Sequence, residues 1–426
     1  MNKESDVSAA IEETAKIDLT DEEFWGRPPA EREAVFATLR QQPGFAFFEE
    51  PDVPFIEQGP GYYAVTRHAD IEYISGNPEL FCSGQGAVSI LDMPPELVDF
   101  YGSLISMDDP RHAKIRRIVS MAFTPKMLDR VIESVESISR EVMTAAVEKA
   151  AAGDGTFDFV KEVAAPLPLT VICRMMGIPE EDHLMVLEQS NIILSGGDPE
   201  LIVSIEEALG QFLTAGQMLS DLMTKLAAER QAHPRDDLTS ALVNANDDGV
   251  TLTHQEIASF FILLCVAGNE TTRNAISQGV YALDRNPLQK AAWVADEGLN
   301  KTAVEEIVRW ASPVTWMRRT ATEDVTIGGL DYPKGSKFVL YYNSANRDDA
   351  AFEAPDVFDL SRSPNPHFGF GARGPHFCLG AHLARREITV AFRALFELMP
   401  DLAVVGEPDR LRSSFVNGIK RMTVRV

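Results

Sequence analysis

The sequence predicts a mostly α fold with a small β-rich lobe. Helical patterns fill most of the chain, and short β signals sit near its two ends. No Pro/Gly/Ser-rich or charge-run linker divides the 426 residues into separate units. Residues 21–426 therefore read as one lobed domain. The polar, acidic stretch 1–20 ahead of it is expected to be flexible.

Taken in order, helical periodicity runs over Pro29 to Gln41, Lys114 to Phe123, Met127 to Ala151 and Glu206 to Ala232, then over Thr253 to Leu283, Lys301 to Trp310 and Leu379 to Leu398. The β signals are GYYAVTR, TATEDVTIGG and SKFVLYYN, so the β part is assembled from distant segments. The helix from Thr253 has a clear start, because Thr253-His-Gln-Glu256 has capping-box spacing. Carried to Leu283 it is about 45 Å long at 1.5 Å per residue. A helix so long and so apolar must run through the middle of the protein. Its abrupt polar turn, AGNETT from Ala267 to Thr272, is then buried or faces an internal cavity.

The composition, 45% hydrophobic and 24% charged, supports a sizeable globular core. A formal charge of -25 argues against general nucleic-acid binding, although basic clusters survive at Arg111 to Arg117 and in LARRE, Leu383 to Glu387. No signal peptide is visible, and the longest apolar run, Ile257 to Ala267, is about half a membrane span. A cytoplasmic protein without a membrane anchor is expected. Cys82, Cys173, Cys265 and Cys378 show no C-x-x-C pair, so neither zinc nor a disulfide framework is indicated.

The chemistry concentrates in PNPHFGFGARGPHFCLGAHLARREI. GFGARG matches G-x-G-x-x-G, but a proline-punctuated loop stands where a dinucleotide site requires a strand. Cys378 is the better centre: it ends a glycine-rich loop and precedes a helical pattern, whose N-terminal amides and dipole favour a thiolate. Gly371, Gly374 and Gly380 leave room for a flat, bulky group to approach the backbone. Cys82, Cys173 and Cys265 read as small buried hydrophobes.

This segment resembles the haem-ligand loop of cytochromes P-450, F-G-x-G-x-H/R-x-C-x-G. Gly374, His376, Cys378 and Gly380 match at the usual offsets, while Phe370 and Gly371 lie one residue too far upstream. The resemblance implies the cytochrome P-450 fold, with a long central helix crossing the haem and Cys378 as axial ligand of a haem b iron. Phe370, Gly371, His376 and Ala267 would then lie against the haem. His112 and Arg116, spaced i, i+4, would hold its propionates together with Arg319, for which Arg318 competes. In TAVEEIVRW, Glu306 and Arg309 would form the family's buried ion pair, with Arg362 or Arg347 as third partner. Ala267 to Thr272 resembles the oxygen-activation motif. Activating dioxygen needs protons delivered without flooding the site, and Glu270 would relay them with Thr271 beside it. The bland alternative pairs Glu270 with Arg273 at i, i+3.

The implied reaction is insertion of one oxygen atom from O2 into an unactivated C–H bond. The stretch after Cys378 is too short for a flavin or iron–sulfur domain, so electrons would come from NAD(P)H through a separate ferredoxin and ferredoxin reductase. Arg385, Arg386, Arg130 and Lys126 are candidate docking cations. The resemblance is closest to an actinobacterial subgroup that hydroxylates the ends of methyl-branched lipids and sterol side chains. Leu263, Val266, Ala267, Val314 and Phe415 would line an apolar substrate pocket, and Phe81 to Met107 would be a mobile loop over its entrance. A monomer is the simplest expectation. The alternatives are a peroxide-using haem-thiolate enzyme and a non-enzymatic haem-based lipid carrier or sensor.

Overall fold

The computed structural model describes residues 17–53, 56–122, 125–194, 200, 205–247 and 249–426. Helices occupy Pro29–Arg40, Arg111–Ala122, Pro125–Ala151, Ile205–Ala232, Asn300–Ala311 and Ala381–Leu398, close to the periodic stretches of the sequence. Of the amino-terminal segment expected to be flexible, residues 1–16 lie outside the described residues. Other helices, such as Pro166–Met176, carry no clean stripe in the sequence. That one buries Leu167, Leu169, Val171, Ile172, Cys173, Met175 and Met176, and a helix packed nearly all round has no polar face to set a period. No helix among the described residues is long and apolar enough to cross a membrane.

The long helix begins as its capping box requires. The Thr253 hydroxyl accepts the Glu256 amide at 3.1 Å, and the Glu256 carboxylate accepts the Thr253 amide at 2.9 Å. It then runs as His254–Leu264, a π-helical turn at Cys265–Asn269, and Glu270–Arg285. Its apolar half joins Ile172, Val308, Ile388 and Phe392 in the largest core cluster.

The β lobe is a five-stranded sheet in the order Ala46–Phe48, Tyr62–Val65, Lys337–Tyr341, Trp316–Ala321, Phe81–Cys82. Tyr62–Val65 runs parallel to Lys337–Tyr341, in register Tyr62 with Lys337, and the other pairs are antiparallel. Phe338 and Leu340 enter one apolar cluster while Val339 and Tyr341 enter another, as the period of two demands in a strand covered on both faces.

The segment from Phe81 to Met107, expected as a loop, begins with the strand Phe81–Cys82 and ends in the 3-10 turn Ser103–Ser106. It contains the helix Pro95–Gly102 and is fastened at several points. Buried Arg318 donates to the carbonyls of Ser89, Ile90 and Leu91 and, at 2.7 Å, to Asp92. Lys337 binds the same Asp92 at 2.9 Å and Glu50 at 2.5 Å. Farther along, the Tyr101 hydroxyl donates to the Phe212 carbonyl at 2.9 Å, over the bare Cα of Gly216. A loop-like composition hid this because every fastener comes from a distant segment.

Candidate functional site

One large cavity opens beside the long helix, with about 220 Å³ open to the centres of water molecules inside roughly 1490 Å³ that includes its mouth. Leu263, Ala267, Gly268, Thr271 and Thr272 line it from the long helix. The π turn gives this stretch its local shape. Thr271 donates its hydroxyl to the Ala267 carbonyl at 2.6 Å, an i−4 bond that competes with the backbone ladder directly after the widened turn. Gly268 is bare because a Cβ would meet Ile172 of the neighbouring helix at 3.0 Å.

Glu270 is not part of the cavity lining. It is 1% exposed, ion-paired with Arg273 and bonded to the Asn274 amide at 2.8 Å. The i, i+3 pair weighed in the sequence is therefore formed, and Glu270 stands behind Thr271. Among the described residues its Oε2 has no hydrogen-bond partner, and neither do the side-chain atoms of buried Asn269.

The cysteine loop also reaches the cavity, through Phe370, Gly371, His376, Cys378 and Gly380. Its extra residue is absorbed by glycine. Gly371 has φ +82° and Gly374 φ +142°, and a Cβ on Gly374 would lie 2.3 Å from the Ser75 carbonyl oxygen. The Cys378 amide donates back to the Phe370 carbonyl at 3.0 Å, closing the loop. Burial pushes the free Cys378 thiol up, while the Gly380 amide, Arg116 and Arg385 pull it down. Burial thus outweighs the helix terminus invoked from sequence, and a coordinated metal ion is what deprotonates such a thiol outright. Cys82, Cys173 and Cys265 are buried and free.

At the cavity's edge, cationic and donor groups converge, and the acid beside them is Asp109, 3.4 Å from His112 Nδ1. Arg319 is 6% exposed and donates to the Arg318 carbonyl at 2.8 Å. Arg116 bonds the Phe377 carbonyl at 2.6 Å, and both arginines line the cavity. Among the described residues no carboxylate pairs with either. Buried His112 Nε2 and His376 Nδ1 have no hydrogen-bond partner among the described residues, and the two rings lie 4.3 Å apart. Burial first, then Arg319, His112 and Arg116, lower His376 to about 2. Such a cluster fits a bound dianion, as haem propionates would provide. Of the two competing arginines, Arg318 is committed to the strap at Ser89 to Asp92, which leaves Arg319 at the cavity.

The other predicted pocket residues divide. Leu263, Ala267 and Val314 line the cavity. Val266 packs against the core instead, and Phe415 stacks edge-on against Trp316 at 5.0 Å, away from the lining. The π turn and the β-lobe packing set those directions, neither of which spacing reveals. Glu306 and Arg309 are both 0% exposed and bonded twice at 2.8 Å. The third partner is Arg362, 3.1 Å from Glu306, whereas Arg347 stacks on Trp310 at 3.8 Å.

The docking cations are placed only in part. Arg385 is held by Glu305 at 2.5 Å, Arg386 is exposed, and the side chains of Lys126 and Arg130 lie outside the described residues. Sequence reasoning missed Glu387, which lines the cavity, is 3% exposed, and bonds with Thr272. Burial raises its carboxyl to about 8. The signal was available, since Ala384, Glu387, Ile388 and Ala391 share one helical stripe.

Comparison with known proteins agrees with this geometry. The family model described as Cytochrome P450 matches residues 98–292 and 299–400. A methyl-branched lipid omega-hydroxylase of Mycobacterium tuberculosis is 47% identical over 411 residues, covering 96% of this chain and 94% of that protein. A steroid C26-monooxygenase of Mycolicibacterium smegmatis is 40% identical over 368 residues, covering 85% and 83%. The solved structure of a Mycobacterium marinum cytochrome P450 in complex with pseudoionone superposes with a TM-score of 0.88 at 41% identity, covering 96% of this chain and 98% of that one. A cavity that joins Cys378, Thr271 and a cationic edge is thus explained by descent: the chain belongs to the cytochrome P450 family of haem-dependent monooxygenases.

Proposed function

We propose that the chain hydroxylates the terminal carbon of a methyl-branched fatty acid, isoprenoid or steroid side chain, with haem b held by Cys378. The observation that carries this is one largely apolar cavity that presents Cys378, Thr271 and Arg319 together, with no carboxylate on Arg319 among the described residues. His112, Arg116, Arg319 and His376 would hold the propionates, and Phe370, Gly371 and Ala267 would pack on the macrocycle. When bound, haem supplies dioxygen activation and transfer of one oxygen atom to carbon.

The chain's own residues then have distinct tasks. Leu263, Ala267 and Val314 exclude water and orient an apolar chain. Thr271 holds a proton at its hydroxyl, and Glu270 resupplies it after turning from Arg273. The relatives' names, a methyl-branched lipid omega-hydroxylase and a steroid C26-monooxygenase, support branched hydrocarbon ends as the substrate class. Electrons would arrive from NAD(P)H through a separate ferredoxin and reductase, to a cytoplasmic monomer.

Incubation with ferredoxin, reductase and NADPH, using paired straight-chain and methyl-branched fatty acids and a sterol, tests this reading. Terminal alcohols from the branched substrates are expected. Turnover with peroxide but none with the redox partners would overturn it. For Cys378→Ala, loss of the far-red-shifted Soret band of the ferrous carbonyl complex is expected, and its retention would show that Cys378 is not the ligand.

A further inference from the structure

We infer that Glu305 is a positioning residue, a clasp that closes both ends of the cysteine loop and sets the charge balance beside the sulfur through Arg385. The inference rests on the reading of Cys378 as iron ligand. Glu305 lies on the helix Asn300–Ala311, next to the ion-paired Glu306 but outside that network. Its carboxylate, 21% exposed, accepts His367 Nε2 at 3.0 Å and Arg385 at 2.5 and 3.0 Å.

His367 enters the loop and Arg385 lies on the helix that leaves it, so one carboxylate ties together the two flanks of Cys378. The tautomer of His367 is fixed, because Nδ1 accepts the Gly369 amide at 3.1 Å and leaves Nε2 as the donor. The guanidinium of Arg385 is held over the Phe370 ring, 4.3 Å from its centroid. Phe370 in turn lines the cavity and accepts the Cys378 amide. A continuous series of contacts therefore runs from Glu305 through Arg385 and Phe370 to the cysteine. Glu306 fastens the stretch just upstream, accepting Arg362, the Asp359 amide and, at 3.2 Å, the Asn365 side chain. Two adjacent carboxylates on one helix thus hold successive stretches, and Glu305 alone of the two also reaches Arg385 beyond the cysteine.

Arg385 lies over Phe370, whose carbonyl accepts the Cys378 amide, so its charge stands beside the cysteine loop. Neutralising Glu305 leaves the charge of Arg385 uncompensated, which favours an added electron at the iron. Removing Arg385 does the opposite.

The test uses haem-loaded wild type, Glu305→Gln and Arg385→Gln, with three readouts: hydrogen exchange of the 367–380 amides, the rate at which the far-red-shifted carbonyl band decays in mild denaturant, and the reduction potential. Both variants should exchange loop amides about tenfold faster and lose the band several-fold faster. The potential should rise in Glu305→Gln and fall in Arg385→Gln. Wild-type exchange and decay in Glu305→Gln would overturn the clasp. Equal potential shifts of one sign would overturn its electrostatic role. Should Glu305→Gln not fold, Arg385→Gln, at a partly exposed position, decides the loop question by the same measurements. A wild-type protein lacking the far-red-shifted band would refute Cys378 ligation instead, and the exchange data would still judge the clasp.

Discussion

Replacing Glu387 by glutamine should stabilise the native protein by an amount that grows with pH. Glu387 is 3% exposed, it bonds with the Thr272 hydroxyl, and burial raises its carboxyl from the ordinary 4.5 to about 8. Between those two values the folded chain keeps a proton that the unfolded chain releases. The stability attached to the neutral acid is therefore complete below pH 4.5 and is lost progressively as pH rises towards 8. Each pH unit inside this window is worth up to about 1.4 kcal/mol, so the interval from about pH 5.5 to 7.5 should cost wild type about 3 kcal/mol through this group. Glutamine matches the shape and cannot ionise, so Glu387→Gln escapes that loss. Urea unfolding of both proteins across this range measures the difference. The stability gap should open towards alkaline pH and flatten above about 8. A gap independent of pH, or a variant less stable at the alkaline end, would show that Glu387 is ionised and partnered in the native state.

Three further outcomes follow from the geometry. Thr271→Ala, which removes the cavity hydroxyl bonded to Ala267, should keep consuming NADPH while releasing more peroxide and less hydroxylated product. Undiminished coupling would remove Thr271 from proton delivery. Glu306→Gln leaves buried Arg309 without its counter-ion and should cost about 3–5 kcal/mol in urea unfolding, with loss of haem retention; a cost below about 1 kcal/mol would contradict the buried network. Gly374→Ala places a Cβ against the Ser75 carbonyl at φ +142° and should cost about 2–4 kcal/mol with a weakened carbonyl band. Wild-type stability there would mean that the loop takes another path.

How much of this was legible in the sequence differs from residue to residue. The long helix and its capping box are local, and hydrophobic period plus a Thr-x-x-Glu spacing located them within a residue or two. The cysteine loop was equally readable, since glycines, a cysteine and a following helix lie within one short stretch. Glu306 and Arg309 were legible as a pair because i, i+3 spacing on a helix forces proximity.

Side-chain destinations were not. Arg318 and Arg319 are neighbours in a strand, so they point to opposite faces. Only the packed sheet decided that Arg318 meets the carbonyls of Ser89 to Leu91 and Arg319 meets the cavity. Arg385 looked like a free surface cation until its partner Glu305, distant in sequence, was placed beside it. Val266 and Phe415 turned away from the lining for the same kind of reason, a widened helical turn in one case and a stack on Trp316 in the other. By itself the sequence determined the elements and the reactive motifs, which depend on neighbours along the chain. The tertiary structure decided which charge is paired, which wall faces the cavity and which loop is fastened, because those depend on partners that only folding brings together.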